Sequence, residues 1–201
     1  GASEYRFVPT VVGTPGPKAD FRPSTDADVA AAWRGEFRAP KYGVGLVSRI
    51  AVREWRYLLM DPANVTMPLL VPGSPRPRVL RVPDEPRAAV AAVLDLPTPV
   101  TVCTVHLSFV PFTNTRQLRQ VQAWLADMPR PVILLGDFNL PGRIAARVTK
   151  WRETETGPSY PVFKPRVQFD HILSDGIAGY GGKVHALPVS DHCAVTAEFA
   201  L

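Results

Sequence analysis

The stretch P-V-I-L-L-G-D-F-N-L at residues 131–140 constrains the fold more than any other part of the chain. Four consecutive aliphatic residues, Val132, Ile133, Leu134 and Leu135, follow a proline and run into Gly136-Asp137-Phe138-Asn139. A short continuous apolar run bounded by turn residues is the pattern of a strand buried on both faces, which requires a sheet with further layers on either side. Gly136 lets the backbone leave the strand sharply. Asp137 and Asn139 therefore emerge together at its carboxyl end, where open α/β sheets keep their sites. Taken alone, the same motif also reads as an ordinary polar turn.

The surrounding sequence supplies the rest of a sheet. Residues 88–96 and 100–107 are near-continuous apolar runs separated by Pro97-Thr98-Pro99, a pattern that predicts a buried hairpin. Residues 114–128 predict a helix: Asn114 is a good N-cap, Leu118, Val121, Leu125 and Met128 form one apolar face, and Arg116, Arg119 and Gln122 take the other. Strand 100–107, this helix and strand 132–136 make a βαβ unit, so its two strands are expected to be parallel. Upstream, residues 5–12 form one apolar stretch before a Gly- and Pro-rich loop at 13–17, and residues 25–33 fit a short helix. Residues 42–49, Y-G-V-G-L-V-S-R, predict a strand whose two glycines imply close backbone approach or a bulge, with residues 54–60 as its expected partner. Residues 61–86 hold seven prolines with Arg76, Arg78 and Arg81, and read as extended loop or edge strand, either a solvated connector or a basic loop facing substrate. A short helix at 141–149 and strands at 167–173 and 194–201 complete the prediction.

With 201 residues, of which 46% are hydrophobic and 20% charged, the chain suits a single domain spanning 1–201 with a sizeable core. Its net charge of +5 leans toward a polyanionic partner. The two cysteines, Cys103 and Cys193, lie in apolar runs and read as buried free thiols. No apolar segment reaches the length of a membrane span and the first residues lack a signal-peptide pattern, so the chain reads as soluble and, by default, cytoplasmic.

Polar groups follow apolar runs at four places: His106 in T-V-H-L-S, Asp137 and Asn139 in G-D-F-N, Asp170-His171 in Q-F-D-H-I-L, and Asp191-His192 in V-S-D-H-C-A-V. Singly, each has a structural alternative, a satisfied core histidine or a strand cap. Together, carboxylates, imidazoles and an amide suit metal-assisted phosphoester hydrolysis, which needs a cation ligand, a water activator and donors for phosphoryl oxygens. A serine triad from Ser190, Asp191 and His192 is excluded, because adjacent strand residues point to opposite faces. A zinc set from His106, His171, His185 and His192 remains open, although no two of them have helical i, i+4 spacing.

The order V-H-L-S, a helix, I-L-L-G-D-F-N, F-D-H-I-L and S-D-H-C-A-V resembles the endonuclease/exonuclease/phosphatase superfamily, and Y-G-V-G-L-V-S-R resembles a strand of its abasic-site endonucleases. The resemblance spans residues 42–201. It implies a four-layer α/β sandwich, with two mixed sheets packed face to face and flanked by helices. It also implies a metal-dependent phosphoesterase using Mg²⁺, with Mn²⁺ as the alternative, and a phosphodiester substrate, with nucleic acid a candidate. By position, Asp137 would activate or orient water, Asn139 would hold the water or a phosphate oxygen, and His106 would contact phosphate. His192 would stabilise phosphoryl charge or act as general acid–base, with Asp170 orienting its ring, while Asp191 and Asp137 would hold the metal. His171 is assigned to structure. Two rival readings are a non-catalytic relative binding nucleic acid or a protein through the same cleft, and a phospholipase- or sphingomyelinase-type phosphodiesterase. The family's N-terminal strand–helix–strand, with its metal-binding glutamate, has no match among Glu4, Glu36 and Glu54, so the chain is expected to be N-terminally incomplete. Arg116, Arg119, Arg143 and Arg147 either line a phosphate path or cover solvent faces.

Overall fold

A computed structural model of the chain describes residues 4–15, 20–71 and 78–201. In chain order the elements are β1 (Glu4–Thr14), β2 (Asp20–Pro23), α1 (Asp26–Trp33), β3 (Lys41–Ser48), β4 (Val52–Met60), β5 (Thr66–Val71), β6 (Arg78–Pro83), β7 (Arg87–Leu94) and β8 (Val100–His106). They continue as α2 (Thr113–Trp124), β9 (Val132–Asp137), α3 (Ile144–Thr149), β10 (Arg152–Glu153), β11 (Asp170–Asp175), β12 (Gly179–His185) and β13 (Ala194–Phe199). A six-stranded sheet in the order β10-β11-β9-β8-β7-β4 carries the site. Only its β8–β9 pair is parallel, as the βαβ reading requires. Every residue of β7 is buried, and β9 begins with three buried residues, as its apolar run demands.

One face of this sheet packs against α2 and α3. Leu118, Val121 and Leu125 and Ala145 meet Ala89, Ala91, Cys103, Val105, Leu134 and Leu173 in one core. The opposite face is covered by the three-stranded sheet β2-β1-β3 and the two-stranded sheet β12-β13. This is the α/β sandwich that the resemblance implies. The capping box of Thr25 and Asp28 starts α1, whose Val29 packs with Val8 of β1 and Val90 of β7.

Several expectations shift. β4 does not pair with β3. It pairs with β7, placing Met60 opposite Arg87, while β3 pairs with β1. The reason lies in Gly43, where a Cβ would stand 2.0 Å from the Val8 carbonyl oxygen, so β1 closes against the glycine strand. The longer helix begins at Thr113, after Phe112 at φ +66°, and ends at Trp124. Asn114 is buried inside it, while Leu125 and Met128 stay in the core from a tight turn in which the Met128 N–H bonds Leu125 O. Among the described prolines of residues 61–86, Pro62 and Pro86 flank and Pro68 and Pro83 enter the antiparallel pair β5–β6, whereas Pro72, Pro75 and Pro77 lie outside the described residues. β12 was not anticipated, because its sequence G-Y-G-G-K-V-H has no apolar alternation. Gly16, Pro17 and Arg76 lie outside the described residues. Cys103 and Cys193 are buried free thiols, as expected. Among the described residues no helix is long and apolar enough to cross a membrane.

Candidate active site

The site is assembled on one rung of the six-stranded sheet. His106 ends β8, Asp137 ends β9 and Asp170 begins β11, and the register sets His106 opposite Asp137 and Asp137 opposite Asp170. Residues directly opposite in a ladder share a face, so all three side chains project to one side. Gly136 makes this possible: its φ is +135°, and a Cβ there would stand 2.0 Å from the Val105 carbonyl oxygen. His192 arrives from the loop before β13, which is tied down by Val162 N–H donating to Asp191 O and Cys193 N–H to Ser159 O, each at 2.7 Å.

Asp170 fixes His192. Its Oδ2 lies 2.7 Å from His192 Nδ1 and accepts the Ser159 hydroxyl at 2.6 Å. With Nδ1 donating, Nε2 is left facing Asp137 Oδ2 at 3.9 Å. The Tyr160 ring, 4.8 Å away centroid to centroid, walls the imidazole. On the other side of Asp137, His106 Nε2 stands 3.5 Å from Oδ2, while its Nδ1 is 3.2 Å from the Tyr42 hydroxyl. Asn139 is held on three bonds. Its N–H donates to Asp137 Oδ1 at 2.8 Å, its Nδ2 to Leu107 O at 2.9 Å, and its own carbonyl accepts Asn114 Nδ2 at 2.9 Å. Its φ of +49° is left-handed, a conformation that asparagine tolerates. All five predicted catalytic residues thus converge, and Asp191 lines the same cavity of about 810 Å³.

Burial, reinforced by the charge of Asp170, pushes the Asp137 carboxyl up to about 6. Burial, with Arg87 and His192 adding positive charge nearby, pushes His106 down to about 3, so its imidazole is neutral. A neutral His106 that accepts the Tyr42 hydroxyl at Nδ1 presents Nε2–H to Asp137. For His192, burial acts downward, but the Asp170 hydrogen bond and the charges of Asp137, Asp170 and Asp191 outweigh it and the pKa rises. The site therefore holds a carboxyl reluctant to ionise beside an imidazole inclined to protonate. Groups tuned in this way are characteristic of proton-transfer sites.

Ligand atoms of Asp137, Asp170 and His192 lie within 4.8 Å of one another. Asp170 Oδ2 and His192 Nδ1 are already bonded to each other, whereas Asp137 Oδ2 accepts no hydrogen bond of normal length among the described residues and belongs to a carboxyl whose charged form is disfavoured by burial and by the charge of Asp170. Hard carboxylate oxygen of this kind suits Mg²⁺, which takes one or two carboxylates and leaves its other positions to water and substrate. Asp191, exposed on the cavity wall, is outside that three-residue cluster. The four-histidine zinc set does not gather. His171 is fully buried, with Nδ1 2.5 Å from Glu153 Oε1 and Nε2 2.7 Å from Leu140 O, and His185 contacts Thr196 at the surface. Ser190 Oγ accepts the His192 backbone N–H, a turn and not a triad. The predicted arginines Arg116, Arg119, Arg143 and Arg147 do not line the cavity. Tyr42, Glu85, Arg87, Phe109, Tyr160 and Phe169 do; Tyr42 and Phe169 stand in the Y-G-V-G-L-V-S-R and F-D-H-I-L motifs, which give them no role, and no motif holds the other four.

Carboxylate and imidazole groups thus share one rung at the strand ends of an α/β sandwich. The chain belongs to the endonuclease/exonuclease/phosphatase family, whose model matches residues 6–192. Its fold is similar to that of an endonuclease/exonuclease/phosphatase family protein from Leptotrichia buccalis, with a TM-score of 0.62 at 13% identity over 99% of this chain and 72% of that one. It is also similar to an endonuclease/exonuclease/phosphatase from Bacteroides vulgatus, with a TM-score of 0.61 at 14% identity over 98% and 77%. A third similar structure is a mannosyl-6-phosphatase from Bacteroides thetaiotaomicron, with a TM-score of 0.55 at 12% identity over 99% and 78%. These likenesses speak to the fold. No curated protein matches the sequence.

Proposed function

We propose that the chain carries a metal-dependent phosphodiesterase site, with DNA the first substrate to test. The observation that supports this most is the single rung His106–Asp137–Asp170 with the His192 imidazole brought against Asp137. Asp137 Oδ2 accepts the proton of the attacking water, and its raised pKa matches it to that task near neutral pH. Asn139, locked by its three bonds, keeps its side-chain oxygen for the water and its second amide hydrogen for a phosphoryl oxygen. His192, protonated with Asp170 behind it, faces the same point as Asp137, donates Nε2–H to the phosphoryl group as its negative charge grows, and gives that proton to the leaving oxygen as its bond to phosphorus breaks. Neutral His106 offers Nε2–H to a second phosphoryl oxygen. Asp137 and Asp191 would hold Mg²⁺ or Mn²⁺, which when bound would polarise a phosphoryl oxygen.

Hydrolysis of bis-p-nitrophenyl phosphate and of plasmid DNA, with and without Mg²⁺, tests this reading. Turnover that requires the cation and falls by about 10³-fold in His192→Gln is expected for a residue acting on the phosphoryl group. A folded wild-type protein without turnover on either substrate would overturn the catalytic reading in favour of a binding relative.

A further inference from the structure

Arg87 is the first residue of β7, a strand otherwise made of alanine, valine and leucine, and its side chain is only 3% exposed. Its Nε and Nη1 are buried and have no hydrogen-bond partner among the described residues. Two carboxylates stand near without satisfying it. Glu85 Oε1 is 3.3 Å from Nη1 without hydrogen-bond alignment, and Asp84 Oδ1 is 4.0 Å from Nη2. Asp84 Oδ2 accepts the Ser108 hydroxyl and the Ala63 N–H, while its Oδ1 is buried without a hydrogen-bond partner among the described residues, and the Tyr42 hydroxyl is the other polar group beside the guanidinium. The guanidinium stacks 5.8 Å over the Phe109 ring and lines the cavity with Glu85, His106 and Asp137.

A buried cation with unfilled donors is costly, and one that faces a cavity can meet that cost by binding an anion. We propose that Arg87 is the anion anchor of this cavity. It binds an oxygen of a tetrahedral phosphoryl group, and Glu85 is the internal counter-ion from which it turns when that group arrives. The inference rests on the phosphoesterase reading for its ligand class, but on Arg87 and Glu85 alone for its geometry. A guanidinium already stripped of water loses little on binding an oxyanion, and its fork of donors suits two oxygens of one phosphoryl group. Glu85, held in place by the same cation, sets the threshold that an incoming anion must exceed.

The test is calorimetric titration with inorganic phosphate in EDTA, so that no cation bridges the anion, on wild type, Arg87→Met and Glu85→Gln. Arg87→Met is expected to weaken binding by roughly ten- to a hundred-fold, the range for lost charge-assisted hydrogen bonds, and Glu85→Gln to tighten it several-fold. Repeating the titration with dimethyl phosphate separates a diester-binding site from one that takes only the free phosphate. Unchanged affinity in Arg87→Met, weaker binding in Glu85→Gln, or no phosphate binding by wild type would each overturn the proposal. Glu85→Gln decides the matter if Arg87→Met does not fold. Failure of the phosphodiesterase reading is distinguishable: phosphate would still bind through Arg87 while hydrolysis in Mg²⁺ stayed absent.

Discussion

Replacing the candidate water activator should stabilise the protein. The Asp137 carboxyl sits at about 6 instead of 3.8 because it is buried beside Asp170. At about 1.4 kcal/mol per tenfold change in proton affinity, ionising it in the folded state costs about 3 kcal/mol relative to the unfolded chain. The sign follows from proton binding. The folded protein holds this proton more tightly, so the group's contribution to stability is complete below about pH 4 and is lost as pH rises to about 6. Asp137→Asn removes that cost and keeps an acceptor at Oδ1 for the Asn139 N–H, now 2.8 Å away. Urea denaturation near pH 7.5 should therefore show the variant about 2–3 kcal/mol more stable than wild type, with the same m-value and a gap that closes near pH 4. Saturating Mg²⁺ should narrow the gap at neutral pH by raising wild-type stability alone, by about 3 kcal/mol at a hundred times its Kd. An equal or lower stability of Asp137→Asn near pH 7.5, or an advantage of the same size at pH 4, would refute the reasoning. Hydrolysis should meanwhile fall steeply, since the strain of an ionised Asp137 is what makes it basic.

Three further outcomes follow from the geometry. Asp170→Asn removes the hydrogen bond that holds His192 up, so His192 should titrate at lower pH by NMR, the alkaline limb of the rate profile should move down, and the rate should drop about ten- to a hundred-fold. Gly136→Ala places a methyl group against the Val105 carbonyl in a left-handed backbone position, and denaturation should show a loss of about 3 kcal/mol or more. Cys103 and Cys193 should be silent to a disulfide reagent such as DTNB in the native state and both react after unfolding, because both thiols are buried and burial pushes Cys103 up.

The parts of the fold written in local pattern were legible: the apolar run of β9, the β7–β8 hairpin and the parallel β8–β9 crossover all follow from short-range periodicity. Sheet assignment was not, because β3 and β4 are close in sequence and equally strand-like, and what separates them is the contact of β1 with Gly43 across 35 residues of chain. The site divides along the same line. His106, Asp137, Asn139, Asp170 and His192 stand in strand-end motifs, so spacing and chemistry bring them forward together. Glu85, Arg87 and Tyr160 stand in no motif, and Tyr42 opens one that gives it no role; all four reach the cavity through sheet register and the loops that follow it. The two groups also differ physically. In the first, burial and then the charge of Asp170 push Asp137 up, while the Asp170 hydrogen bond and the surrounding carboxylates raise His192 against its burial. In the second, Arg87 supplies a permanent positive charge, Tyr42 holds the His106 ring at Nδ1 and Tyr160 walls His192. A rung of carboxylates and imidazoles without that surrounding set would relax by taking up water, and Asp137 would return toward an ordinary carboxylate.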